Sequence, residues 1–187
     1  NAKVNNILPS LMERILNVAK VEENKEWIVK KIELAKELEQ AVVTYLGAKR
    51  KMRSELETDR LQRLKVDTAI IETLNLDIST VGALRTGVET LKTVLGDLKV
   101  GKSSFSMLQV SEIKFEEVLK SESGTCSLVL DEIRVKLELL LREYSDNEKV
   151  AQEIEEALAL TKQPKVITAE DEMINAWNKY IGFEMEK

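Results

Sequence analysis

Gly96, Gly101, Lys102 and Ser103 form the pattern in this chain most suggestive of chemistry, within "GDLKVGKSS" (96–104). They meet the G-x-x-x-x-G-K-S spacing of a phosphate-binding loop, in which backbone amides wrap the phosphates, the lysine reaches their outer oxygens and the serine holds magnesium. Further on, "CSLVLDE" (126–132) has the apolar run ending in two acids that would supply a second magnesium ligand. Such a loop works only between a buried strand and a helix. The residues before Gly96, "VETLKTVL", continue a helical stripe, and "LVLDEI" fits the start of a helix running to Leu141. Between the glycines, Asp97 would set an acid against the phosphate. The expected reading is a Gly- and Ser-containing loop between helices, with nucleotide binding through these four residues as the alternative.

Little else is available for catalysis. The chain has no histidine, so both the commonest general base and the commonest metal ligand are missing. Its one cysteine, Cys126, cannot make an internal disulfide or a thiolate zinc site. An enzyme would have to work with carboxylates, Lys, Tyr or a bound nucleotide. The expectation is therefore a protein without catalytic residues, cofactor or metal.

Two clusters point instead to binding. In "AKRKMRSELETDRLQRLK" (48–65), seven basic residues stand against three acids. At 100° per residue Lys49, Arg53, Arg60 and Arg63 fall within an arc of about 80° on one continuous helix. A one-sided basic stripe suits an anionic lipid surface, a partner protein or the acidic half of the chain; an ordinary solvated face is the bland reading. Nucleic acid fits poorly, because no aromatic side chains interleave the stripe to stack on bases. The second cluster is Met173, Trp177, Tyr180 and Ile181, a sticky face on a closing amphipathic helix. It reads as a docking face for a partner or, more simply, for the bundle itself.

The elements that must carry these residues are helical. Of 187 residues, 33% are charged and 4% aromatic, with seven Gly and two Pro, the profile of long helices or coiled coils. Pro9 and Ser10 suit the start of a helix. Apolar residues recur three and four apart from Ile28 to Tyr45, through Met52 to Leu74, and from Ile78 to Leu98. Gly47 marks either a hairpin turn or a weak point. Breaks at "GKSSFS" (101–106) and "SESGTCS" (121–127) bound a short helix. Further helices follow "SDNE" (145–148) and "ITAEDE" (167–172), each carrying residues that can cap. No segment alternates like a half-buried strand. The predicted fold is all-α, an elongated bundle built on a long antiparallel helical hairpin (10–98) with shorter helices (104–162). These make a core of 1–163, followed by the amphipathic helix in 164–187.

The net charge of −5 divides unevenly: residues 1–100 carry +2 and residues 101–187 carry −7. One half can fold against the other, or leave it for an anionic surface. No run approaches the roughly 20 apolar residues that a spanning helix needs. The opening "NAKVNN" lacks Met and reads as a processed end or an expression remnant, with no secretory leader visible. The expected location is cytoplasmic, peripheral at a membrane if the stripe binds lipid.

The run "AVVTYLGAKRKMRSELE", followed by a long striped stretch ending "LNLDISTVGALRTGVETLKTVLGDLKV", resembles the helical hairpin of the ESCRT-III family, the charged multivesicular body proteins and their archaeal CdvB-type relatives. "SLVLDEIRVKLELL" and "EKVAQEIEEALAL" sit where that family's acidic later helices fall. The resemblance spans roughly residues 28–160 and is one of pattern and charge order. It implies self-association into membrane-remodelling filaments, disassembled by a separate AAA-type ATPase, with the last helix as a brake or partner-binding element. The alternative is a coiled-coil scaffold or adaptor that binds other helical proteins without a membrane role.

Overall fold

A computed structural model describes the backbone of residues 2–57, 61, 63–64, 66–122, 125–162 and 165–185, and their side chains except for 2–10, 74–81 and 125–127. The described residues form seven helices and no strand: α1 (Ala2–Glu23), α2 (Lys25–Leu56), α3 (Thr68–Lys99), α4 (Phe105–Glu122), α5 (Thr125–Glu143), α6 (Glu148–Thr161) and α7 (Lys165–Gly182). The chain is an all-α bundle. None of the described helices is long and apolar enough to cross a membrane.

The core follows from one repeating interval. Along α2 the buried residues are Ile28, Lys31, Ala35, Leu38, Val42, Tyr45, Leu46, Lys49, Met52 and Leu56. Leu46 apart, they alternate three- and four-residue steps, the seam of a helix gripped by partners along its whole length. On α3, Leu84, Val88, Leu91, Leu95 and Leu98 repeat the interval and are fully enclosed. On α7, so do Val166, Glu170, Met173, Trp177 and Tyr180. The most extensive helix pairings join α2 to α3, α2 to α7 and α3 to α4. The Phe115 ring of α4 lies 4.8 Å from that of Trp177 on α7, so these four helices share one interior. Helices α5 and α6 pair with each other, and α5 also rests on α3.

Several boundaries depart from the sequence expectation. Gly47 lies inside α2, where its φ is ordinary and no turn occurs; the chain leaves α2 at Leu56 instead. Pro9 lies within α1 rather than at its start, since one proline removes a single helical hydrogen-bond donor. Thr168 likewise sits inside α7, which begins at Lys165. Caps set the other ends. Asp67 accepts from the Ala69 amide (2.9 Å) and from Lys136 Nζ on α5 (2.8 Å), which fixes the start of α3 and ties it to α5. Those two bonds and the lysine charge hold its carboxyl below the usual carboxylate range. Asn147 caps α6 by accepting from Val150, as "SDNE" implied.

The α3–α4 contact depends on a missing side chain. A Cβ on Gly87 would stand 3.0 Å from a ring carbon of Phe115, whereas one on Gly82 would meet nothing within 4 Å. Phe115 cannot yield easily, being buried and wedged against Trp177. Gly82→Ala is expected to raise stability by about 0.5–1 kcal/mol through helix propensity. Gly87→Ala gains the same propensity but overpacks, for a net loss of about 1 kcal/mol. Thermal unfolding of the two variants checks this; equal midpoints would mean that the contact is not tight.

Candidate functional site: the buried lysines of α2 and the docked helix α7

Two lysines occupy the α2 seam, where an apolar side chain is expected. Lys31 is buried, and its Nζ lies 3.9 Å from the centre of the Tyr180 ring and 5.3 Å from that of Trp27. It also donates to the Tyr180 carbonyl, in the last turn of α7, where helical carbonyls lack partners and the dipole favours a cation. The Tyr180 hydroxyl donates in turn to Glu112 Oε1 of α4 at 2.9 Å. Trp27 Nε1 donates to the Phe183 carbonyl at 3.2 Å, just beyond the end of α7. One polar chain therefore joins α2, α7 and α4. At the other end of α7, Lys165 and Val166 share a shallow groove of about 260 Å³ with Thr44, Ala48 and Met52 of α2. Helix α7 thus runs antiparallel to α2.

Burial lowers the Lys31 ammonium pKa, and the nearby Glu112 charge opposes that shift. Burial raises the Glu112 carboxyl pKa, with Lys31 and the Tyr180 bond acting against the rise. The Tyr180 phenol is pushed far upward, by burial first and then by Glu112, so it stays a hydrogen-bond donor. A lysine of lowered pKa suggests nucleophilic chemistry. Here its Nζ is spent on a helix carbonyl and covered by two rings, an arrangement that positions helices.

Lys49 is the second seam lysine. Its Nζ is 3.4 Å from Glu122 Oε2 at the end of α4, with the two side chains 0% and 8% exposed. It also stands 5.1 Å from the Tyr45 ring centre. Within the basic stripe this takes Lys49 off any exposed face and sets it against an acid of the acidic half, one of the partners considered for the stripe. The arc drawn through Lys49 is the seam that carries Tyr45, Met52 and Leu56, so Lys49 points inward. Arg53, at the edge of that arc, pairs with Glu57 at 3.0 Å. Arg63 comes after the end of α2, where the angular count no longer applies, and stands 3.9 Å from Glu153 of α6. Arg60 lies outside the described residues.

The closing cluster divides as well. Met173, Trp177 and Tyr180 are buried on the α7 seam, while Ile181, one position off it, is 41% exposed. Sequence reasoning missed Lys31, Glu112 and Glu122. The signal was present for Lys31 and Lys49, because the three–four interval from Ile28 to Leu56 passes through both.

The phosphate-loop pattern has a different explanation. Gly96 is inside α3, so no strand precedes the loop. Gly101 has a φ of 79°, its amide donates to Leu98 O (3.1 Å), and the Lys102 amide donates to Asp97 O (2.7 Å). These are the paired bonds of a Schellman C-cap, with glycine at the left-handed position. Ser104 then accepts from the Met107 amide at 3.3 Å and caps α4. Gly101 to Ser104 end one helix and start the next. The apolar run at 128–130 lies within α5. Among the described residues, no group of three His, Cys, Asp or Glu is placed to hold a metal ion.

No protein-family model, no curated protein and no solved structure matches this chain.

The buried Lys49–Glu122 pair and the polar chain through Glu112 each allow a test. Replacing Lys49 with Met leaves Glu122 buried without its cation and is expected to cost about 3 kcal/mol, much of it regained in the double variant with Glu122→Leu. A double variant as unstable as the single one would mean the pair is not coupled. For Glu112, the folded chain holds the proton more tightly than the unfolded chain. Its contribution therefore grows as pH falls towards the ordinary value of 4.5 and is lost as pH rises through the raised folded value. Compared with Glu112→Gln, which cannot titrate, the wild type should gain thermal stability as pH drops from neutral. A difference independent of pH would refute the assignment.

Proposed function

We propose that this chain is a non-enzymatic assembly subunit that works by pairing its helices with those of other molecules. The observation that carries this reading is the orientation of α1. Its Leu11, Met12, Ile15, Leu16 and Val18 are each between 43% and 64% exposed, on one stretch of helix. A cluster of large apolar side chains in water marks an interaction surface far better than scattered single ones. In the ESCRT-III-like form of this function, the subunits build filaments at a membrane, and α7 restrains assembly by covering the α2 and α4 seams. In the second form, a scaffold or adaptor, the same helices bind other helical proteins without lipid. Of the basic residues one favours the second form: Lys49 is buried against Glu122, whereas Arg53 and Arg63, in solvent-accessible pairs with Glu57 and Glu153, and the exposed Arg50 and Lys51 do not discriminate. Stabilisation by anionic lipid needs cations that are free to approach headgroups.

Co-sedimentation of the full chain with anionic vesicles at low and high salt, with electron microscopy of the pellets and of lipid-free protein, separates these forms. Assembly without lipid and indifference to vesicles are expected. Salt-sensitive pelleting with filaments or tubules would establish the membrane form. A chain that stays monomeric and ignores vesicles under every condition would sink the reading.

A further inference from the structure

We infer that α1 is a self-pairing helix whose occupant is α1 of a second copy of this chain, an inference that rests on the assembly reading above. The first ground is how α1 is held. Asn17 Nδ2 donates to the Ser103 carbonyl at 2.9 Å, Lys20 Nζ lies 4.8 Å from the centre of the Phe105 ring, and Val21 is buried. At 100° per residue these three attachment points centre on the side of α1 opposite Leu11, Met12, Ile15, Leu16 and Val18. The helix is fastened to the body largely by polar and charged side chains, and its apolar face is turned away. Packing within one molecule favours the reverse arrangement.

The second ground is spacing. Leu11, Ile15 and Val18 follow one another at four and three residues, and in sequence the same steps run back through Leu8 and Val4. A 3.5-residue apolar period is the seam of a two-helix coiled coil, where each knob fits a hole in a like partner. Such a seam complements itself, which a two-fold pairing between identical chains requires.

Charge decides between a second copy and a lipid surface. Within Ala2–Glu23, Lys3, Arg14 and Lys20 are balanced by Glu13, Glu22 and Glu23. Two such helices bring no net repulsion to each other. An anionic membrane gains no net attraction from them, whereas helices that lie in lipid headgroups are rich in Lys and Arg on their polar face.

The test is sedimentation velocity on the full chain, wild type, Leu11→Glu and Ile15→Glu, with far-ultraviolet circular dichroism as the folding control. Both positions are more than two-fifths exposed, so neither substitution should unfold the body. The expected result is a concentration-dependent dimer between about 1 and 200 µM, the range of a modest helix-pair interface. Each substitution should weaken it by roughly tenfold or more at unchanged helix content, through loss of a buried apolar contact from each partner. An oligomer that persists equally in both variants would overturn the inference and leave the assembly reading intact. A wild type that is monomeric throughout the range but pellets with vesicles would also overturn it, with lipid as the occupant. A monomer that ignores vesicles would remove both.

Discussion

The fold depends on how α2 disposes of two charges that its own seam forces inward. A lysine at a seam position of a fully packed helix must either leave the core or be met by something that compensates for lost water, and an unmet charge costs several kcal/mol. Lys31 is met by a helix C-terminus and two aromatic rings, and Lys49 by a carboxylate. Neither solution is local. The first brings α7 to α2 with Tyr180 at the level of Lys31, and the second sets the end of α4 at the level of Lys49. Apolar seams alone tolerate sliding by a heptad. Two cations with different partners, five helical turns apart on one seam, exclude the shifted registers.

This accounts for what the sequence made legible. Periodicity reports which face of a helix is buried, and it located the seams of α2 and α3 and the inward set Met173, Trp177 and Tyr180, but not the breaks at Asn24 and between Leu56 and Thr68. Net charge per segment reports composition rather than direction, so the basic run near residue 50 read as a surface although Lys49 lies on the same face as Tyr45 and Met52. The acids that answer the lysines, Glu112 and Glu122, are 81 and 73 residues from them along the chain. No local pattern connects such pairs; only the packing of α4 against the other helices does. The glycine–lysine–serine motif misleads for a related reason. A phosphate loop and a helix C-cap followed by an N-cap both need a glycine at positive φ and a small hydroxyl residue at a helix start. What separates them is the element before the glycine, which is α3.

The interior also bears on the proposed brake. For α7 to leave α2, Lys31 would lose its helix terminus, Glu112 would lose the Tyr180 hydroxyl, and Trp177 would leave Phe115. Buried polar contacts of this kind cost more to break than to omit, because each freed group must be rehydrated or stay unsatisfied. Release of α7 is therefore a rare event unless a partner supplies equivalent contacts. A helix held in this way is better suited to defining the bundle than to opening spontaneously.

Helix α1 is placed differently. Among its described side chains, α1 is attached beyond its junction with α2 through one side-chain hydrogen bond, a cation over a ring and a buried valine, without the continuous seam contacts that hold α7. Weak attachment through the polar side and strong apolar potential on the free side are what an element needs if it is to engage another molecule without disturbing its own body. If the exposed face were an accident of composition, its apolar positions would be scattered around the helix, and the side chains holding it to the body would come from that face. They come instead from the opposite side, the arrangement that the proposed self-pairing of α1 requires and that the tightly held α7 lacks.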